Sequence, residues 1–190
     1  MEVRALVGAP AVRVRAVDPD AELVAAALEE PRAFLGLYDR YFGRVLGYAR
    51  LRIRDAATCE DVASQVFVTA LAQLPRFRGE GSFAGWLFQI ARNEVRDVQR
   101  RRPDEPLRSE PPGLEPDPEE RFLAQERAAQ LYAAIRLLEP EQQHLLALRF
   151  GARLAFDEIG AVVGAAPGTV RVRMYRILEE LRRRYPHDDA

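Results

Sequence analysis

Apolar residues recur along most of this chain at steps of three and four, the spacing of one face of an α-helix, so the elements predicted are helices. From Asp20, the positions Leu23, Val24, Ala27 and Leu28 predict a short helix ending before Pro31. Phe34, Leu37, Tyr38, Tyr41, Phe42, Val45, Leu46 and Ala49 predict a longer one whose aromatic stripe is core, because such side chains bury large areas. Asp55 or Thr58 can cap a third, with Val62, Ala63, Val66, Phe67, Ala70 and Leu71 inward and Glu60, Asp61, Ser64 and Gln65 outward. Ser82 opens a fourth: Phe83, Leu87, Ile90, Ala91 and Val98 form its apolar face, while Gln89, Arg92, Asn93, Arg96 and Arg100 gather on another. The period stops at Pro103 and resumes near Arg121. There Phe122, Leu123, Leu131, Ile135 and Leu138 predict one helix, and Leu145, Leu146, Leu148 and Phe150 another before Gly151.

The last periodic segment has a turn built into it. Phe156 to Gly164 places Ile159, Val162 and Val163 inward, Gly164-Ala-Ala-Pro167 makes a tight turn, and a second helix runs from Gly168 to Arg182. Two short helices about a glycine-containing turn form a helix-turn-helix. In the second, Val170, Met174, Ile177 and Leu181 share one side, Val172 and Arg176 stand opposite, and Thr169, Arg171, Arg173 and Tyr175 flank them. The first turns of a recognition helix enter the major groove, which makes Arg171, Arg173 and Arg176 candidate ligands of bases or phosphates. Thr169 can join the free backbone amides at the helix start in holding a phosphate.

The stretch from Phe77 to Arg102 carries a second chemistry. A glycine-broken basic loop runs into Ser82 and then into the fourth helix, which ends in three arginines. Amide and guanidinium groups hydrogen-bond base edges and neutralise phosphates, and Phe77, Phe83, Trp86 and Phe88 are aromatic rings on which exposed bases could stack.

Composition narrows the classes. With 190 residues, 30% charged and 48% hydrophobic, the chain fits a globular protein of one domain or two small ones. No apolar run is long enough to span a membrane and no secretory leader is legible, so a cytoplasmic protein is expected. Cys59 is the only cysteine, and His144 and His187 are the only histidines, which leaves no intramolecular disulfide and almost no ligands for a metal; neither metal nor cofactor is expected. No nucleophile with its base and no phosphate loop points to an enzyme. All 28 basic residues are arginine, a sign of GC-rich coding more than of selection at each site.

The net charge of −1 conceals an uneven distribution. Residues 1–102 hold 16 arginines against 13 acids, residues 103–120 hold 1 against 7, and residues 121–190 hold 11 against 9. The acidic middle also contains Pro103, Pro106, Pro111, Pro112, Pro116 and Pro118, reads as an extended linker, and at about 3.1 Å per residue can bridge tens of ångströms. The local field, not the total, decides where phosphate binds.

The Phe-Arg-Gly loop, Phe83, the run Trp86-Leu-Phe-Gln-Ile-Ala-Arg-Asn93, Asp97 and Arg100-Arg101-Arg102 resemble regions 2.3 and 2.4 of bacterial sigma factors of the extracytoplasmic-function type. The segment around Glu60 to Phe67 is similar to sigma region 2.2, with Cys59 where alanine is common and Ser64-Gln65 in place of Gln-Glu. The Glu-Ile-Gly, turn and Gly-Thr-Val of the C-terminal block resemble region 4, with Leu138-Glu139-Pro140 and Gln143 departing from its usual Leu-Pro and following arginine. The resemblance covers roughly residues 21–102 and 121–185. It implies an all-α fold of two small helical domains: a region 2-like domain at 21–102 and a region 4-like domain at 121–185. A loose extension (1–20), the linker (103–120) and a tail (186–190) complete the chain.

The function it implies is that of a promoter-specificity subunit that binds core RNA polymerase and opens the minus-ten element. Glu60, Asp61, Ser64 and Gln65 would then hold the polymerase. Phe77, Arg78, Ser82, Trp86, Gln89, Arg92, Asn93, Arg96 and Arg100 would hold the minus-ten element, partly single-stranded. Thr169, Arg171, Val172, Arg173, Tyr175 and Arg176 would read the minus-thirty-five duplex. An anti-sigma factor is a further partner the resemblance allows. A stand-alone helix-turn-helix regulator and a sigma-like module held by a protein inhibitor are the alternatives.

Overall fold

The structure, a computed structural model, describes residues 18–53, 55–79, 81–101 and 130–184, and all regular structure among them is helical. In chain order the helices are α1 (Ala21–Glu29), α2 (Phe34–Arg50), α3 (Ala56–Gln73), α4 (Phe83–Arg101), α5 (described over 130–136), α6 (Pro140–Leu146), α7 (Phe156–Val163) and α8 (Pro167–Arg184). A π-helical turn, Ala147–Gly151, continues α6. The extension before Asp18, the linker with Phe122 and Leu123, and the tail lie outside the described residues.

Local chemistry starts these helices where the sequence predicts. The Asp55 carboxylate accepts from the Thr58 amide (2.8 Å) and hydroxyl (2.6 Å), so Asp55 caps α3 and Thr58 supports it. Ser82 Oγ accepts from the Gly85 amide at 3.0 Å. The same helix start is also satisfied from a distance: the Asp18 carboxylate accepts the Phe83 amide at 2.7 Å. Each such cap is worth about 1 kcal/mol.

Asp18 and Asp20 correct the expected extent of the N-terminal extension. Asp20 is fully buried, accepting from the Tyr41 hydroxyl (2.5 Å) and from Arg40 Nη1 (2.7 Å). Burial, and then the hydrogen bond to Asp20, raise the Tyr41 pKa above its usual value. A carboxylate is tolerated at zero exposure because both of its oxygens are bonded. Proximity in sequence gave no hint of this, since its partners lie 20 and 21 residues away.

The N-terminal core is aromatic. Phe67 of α3 meets Tyr38, Phe42 and Phe34 of α2 with ring centroids 4.9, 6.0 and 6.3 Å apart. Tyr41 meets Phe83, and Tyr48 meets Phe88, both at 5.7 Å. Val95, not anticipated, is buried, whereas Leu71 and Leu28, expected inward, are exposed. In the C-terminal half Leu145, Leu146 and Leu148 are buried as expected, but Phe150 and Leu131 face outward. The π turn shifts the register by one residue, with the Ala152 amide bonded to the Ala147 carbonyl at 2.8 Å, so the helical spacing that would have put Phe150 inside is broken.

The two halves share one continuous core. α2 lies against the π turn: a Cβ on Gly47 would collide with the Gly151 carbonyl oxygen, and one on Gly151 with that of Gly47. Beside this backbone contact, Arg44 Nη2 donates to both Glu158 carboxylate oxygens (2.9 and 3.1 Å) and its Nε donates to the Ala152 carbonyl (3.3 Å). The expected all-α fold with two helical parts is therefore present, and the two parts are packed on each other.

Removing the buried carboxylate with Asp20→Ala leaves the Tyr41 hydroxyl without its acceptor. The expected loss is about 1–3 kcal/mol in denaturant unfolding, and it should be much smaller in the double variant with Tyr41→Phe.

Candidate nucleic-acid interface

α4 is amphipathic by construction. Phe83, Leu87, Ile90 and Ala91 are buried, with Val98 half-buried, while Gln89, Asn93, Arg96 and Arg100 are exposed along the opposite side. The aromatic residues divide in a way the period could not show. Phe83 and Phe88 have no exposed surface, so neither can stack on a base; both belong to the core. Phe77 and Trp86 are half-buried at its edge, their centroids 5.2 Å apart, with Phe83 beneath them at 6.1 and 5.7 Å. This pair remains as the aromatic platform.

Phe77, Arg78, Ser82, Trp86 and Gln89 together line a cavity of about 360 Å³, joined by Arg76 from the preceding turn and by Ala161 and Val162 of α7. That volume, with an aromatic wall, two arginines and an amide, suits a flat polar group carried on an anionic backbone. Arg76 was missed in sequence although it adjoins the motif. Ala161 and Val162 could not be found there at all, because they come from the other domain. Further along α4, Arg96 and Arg100 continue the basic face, with Arg100 ion-paired to Asp97 on the surface. Arg92 departs from the expected set: its guanidinium pairs with Glu141 of α6.

The helix-turn-helix forms as the sequence predicts. α7 ends at Gly164 with φ at 67°, a left-handed conformation that costs glycine least, and the Ala165 amide returns to the Gly160 carbonyl at 3.0 Å. Val170, Met174, Ile177 and Leu181 are buried; Thr169, Arg171, Val172, Arg173, Tyr175 and Arg176 are exposed. Val172 at 52% and Tyr175 at 66% are large apolar surfaces left in solvent. Phe156, outside the predicted contact set, lies under two guanidinium groups, Arg149 at 4.8 Å and Arg171 at 5.3 Å from its centroid. The ring attracts both cations and narrows where Arg171 can point.

Glu60, Asp61, Ser64 and Gln65 are all exposed on α3, and Val68, 61% exposed, extends the same strip. Gln143 is engaged at the end of α5, donating to the Leu138 carbonyl at 2.9 Å.

His144 is buried where α2, α4 and α6 meet. Its Nδ1 is 2.8 Å from the Tyr48 hydroxyl, and its Nε2 has no partner among the described residues. Burial, with the Arg92 and Arg52 guanidinium groups nearby, lowers its pKa to about 3, while burial pushes that of Tyr48 up to about 12. Cys59, the one cysteine, is buried and its thiol is raised to about 11, which makes it inert. No metal-binding group of histidines, cysteines and carboxylates is present among the described residues, and no described helix is long and apolar enough to cross a membrane.

Comparison with known proteins gives two family matches in the same order as these two parts. The profile described as Sigma-70 region 2 matches residues 37–103, and that described as Sigma-70, region 4 matches residues 134–183. The chain is 35% identical over 167 residues to the ECF RNA polymerase sigma factor BldN of Streptomyces coelicolor, covering 84% of this chain and 62% of that protein's length. It is 31% identical to the RNA polymerase sigma-H factor of Pseudomonas aeruginosa, covering 80% of this chain and 86% of that one. Among solved structures, CnrH in complex with the cytosolic domain of CnrY aligns with a TM-score of 0.67 at 24% identity, over 90% of this chain and all of that one.

The buried histidine predicts a pH dependence. Its pKa is lowered in the folded protein, so its contribution to stability is complete above about pH 6.5 and declines as pH falls below that value. By pH 5.5 the loss should be about 1.4 kcal/mol. Denaturant unfolding of the protein and of His144→Gln between pH 8 and 5.5 should show the difference between them shrinking by that amount.

Proposed function

The chain belongs to the sigma-70 family, in its extracytoplasmic-function branch, and from that premise we propose that it binds core RNA polymerase, directs it to promoters with two spaced elements and helps open the minus-ten element. The observation that carries this reading is the pairing, in one chain, of an aromatic and basic cavity at the start of α4 with an exposed arginine face on α8.

The parts act in sequence. The exposed strip Glu60, Asp61, Ser64 and Gln65 holds the polymerase. Arg171, Arg173 and Arg176 enter the upstream major groove, with Val172 and Tyr175 making apolar contacts and Thr169 joining the backbone amides of the first turn at a phosphate. At the minus-ten element an unpaired base leaves the stack and enters the cavity against Phe77 and Trp86, bonded by Gln89 and Asn93. Arg78, Arg96 and Arg100 follow the strand's phosphates. Ser82 sets the helix start that forms the cavity floor. Unstacking costs a few kcal/mol, offset by stacking of about 1–3 kcal/mol per base and by the added hydrogen bonds. Holding both DNA sites under one polymerase makes the second contact effectively intramolecular. The factor therefore works in the compartment of the polymerase, the cytoplasm, and catalyses no reaction of its own. A protein partner that covers it, as the cytosolic domain of CnrY accompanies CnrH, belongs to the same reading.

Run-off transcription with core polymerase on a fragmented genomic library, with and without the protein, should yield new starts that share two spaced elements. Absence of both new starts and polymerase binding would favour a stand-alone regulator. On an identified promoter, Arg173→Ala and Arg176→Ala should each weaken upstream duplex binding by about 1–3 kcal/mol. Asn93→Ala should leave duplex binding intact and slow strand opening, followed by permanganate reactivity of unpaired thymines. Equal loss of both steps in all three variants would refute this division of labour.

A further inference from the structure

Phe77 and Trp86 rest on Phe83, with centroids 6.1 and 5.7 Å from its ring, and one short segment of the chain holds Phe83 in two ways. The Phe83 amide, at the first residue of α4, donates to the Asp18 carboxylate at 2.7 Å. Two residues on, the buried Asp20 carboxylate accepts from the Tyr41 hydroxyl at 2.5 Å, and the Tyr41 ring packs on Phe83 at 5.7 Å. The segment is itself folded tightly. The second Asp18 carboxylate oxygen accepts the Asp20 amide at 3.2 Å, and the Asp18 carbonyl accepts the Ala21 amide at 3.0 Å. Pro19 fixes the backbone between the two acids. Local structure thus aims one carboxylate at the start of α4 and the other at α2.

The approach to α4 gains little rigidity from its own residues. Gly81, on the cavity wall, has φ at 115°, a conformation open to glycine, and glycine gives up more backbone freedom on ordering than any other residue. Ser82 bonds the Gly85 amide and leaves the Phe83 amide to Asp18. Asp18 is not among the residues that line the cavity, so whatever it does there it does through Phe83. A carboxylate at a helix N-terminus also takes the place an anion would occupy, which leaves the phosphates of a bound strand to Arg76 and Arg78 on the cavity wall. The charge of Asp18 opposes DNA, while its acceptor oxygen places the platform.

We propose that Asp18 is a positioning residue for base capture: by accepting the Phe83 amide it fixes the start of α4 and, through the Phe83 ring, the Phe77 and Trp86 surfaces on which the unpaired base stacks. The part that concerns the base rests on the function proposed above; the placement of the platform does not.

The sign of the effect makes the test selective. Removing a negative charge beside a DNA site should, by electrostatics alone, tighten binding, whereas loss of positioning should weaken it. Three variants separate the causes: Asp18→Ala removes the acceptor, Asp18→Asn keeps an acceptor without the charge, and Asp55→Ala removes a comparable cap from α3. Trp86 is the only tryptophan, so its emission and its quenching by acrylamide report the platform in the full chain without DNA. Circular dichroism checks that helix content is kept. Capture is read with the holoenzyme at saturating polymerase, as affinity for single-stranded DNA that the parent holoenzyme selects from a randomised pool. Asp18→Ala should expose Trp86 to acrylamide and bind the selected strand several-fold more weakly; Asp18→Asn and Asp55→Ala should resemble the parent in both. Parent-like Trp86 signals with parent-like or tighter binding in Asp18→Ala would overturn the proposal. So would an Asp18→Asn as defective as Asp18→Ala, or equal weakening by Asp55→Ala. If the parent selects no strand while Trp86 is exposed in Asp18→Ala and restored in Asp18→Asn, base capture is refuted and the positioning of the platform stands.

Discussion

Helix α2 has to bury two sides at once, and the remaining helices are arranged around that requirement. Tyr38 and Phe42 pack on Phe67 of α3 and Tyr41 on Phe83 of α4, while Gly47 and Tyr48 meet Gly151 and His144 of the C-terminal half. Six of its seventeen residues are buried, and two of its arginines reach across to carboxylates on other elements. Arg40 closes on buried Asp20 and Arg44 closes on Glu158, so each end of the packing has an ion pair at its margin. Of the two, only Arg44–Glu158 spans the halves; such a partly exposed pair adds little energy but fixes register, because moving either half would separate it.

The candidate DNA surfaces follow from that core. α4 can present Gln89, Asn93, Arg96 and Arg100 only because Phe83, Leu87, Phe88 and Ala91 are anchored against α2 and α3. The aromatic cluster grades from core to surface over three residues: Phe83 is enclosed, Trp86 rests on it, and Phe77 leans on both from the loop. A platform supported in this way is preorganised, so a base that stacks on it need not order the ring first. On α8 the same economy applies. Val170, Met174, Ile177 and Leu181 fix the helix, and every residue between Arg171 and Arg176 other than Met174 is left to face outward. A net charge near zero does not conflict with nucleic-acid binding here, since each of these two faces carries several exposed arginines and the local field decides where phosphate binds.

The places where the sequence misleads share a cause. Phe83 and Phe88 are interspersed among the same residues of α4 as Trp86, yet only a neighbouring helix decides which ring is enclosed; periodicity defines a face, not its edge. Phe150 follows three buried leucines in good helical spacing and still points outward, because the π turn inserts a residue that no local pattern announces. Asp18 and Asp20 look like loop residues and act as a distant cap and a buried anion, their partners at Phe83 and Tyr41 being supplied by the fold. Arg92 has the chemistry of a phosphate ligand, and Glu141, 49 residues on, occupies it.

By itself the sequence determined the helices, their inward faces, the capping of α3 and α4, the turn at Gly164 and the order of the two DNA-type surfaces. Those features depend on side-chain spacing and on backbone preferences that act over one or two turns, and both are written locally. Only the tertiary structure decided which aromatic rings are enclosed and which are half-buried, that Ala161 and Val162 complete the cavity beside Trp86, and that the two halves pack backbone to backbone at Gly47 and Gly151. Each of these depends on contacts between residues far apart in the chain, where the energy lies in the fit of two surfaces that neither segment records alone.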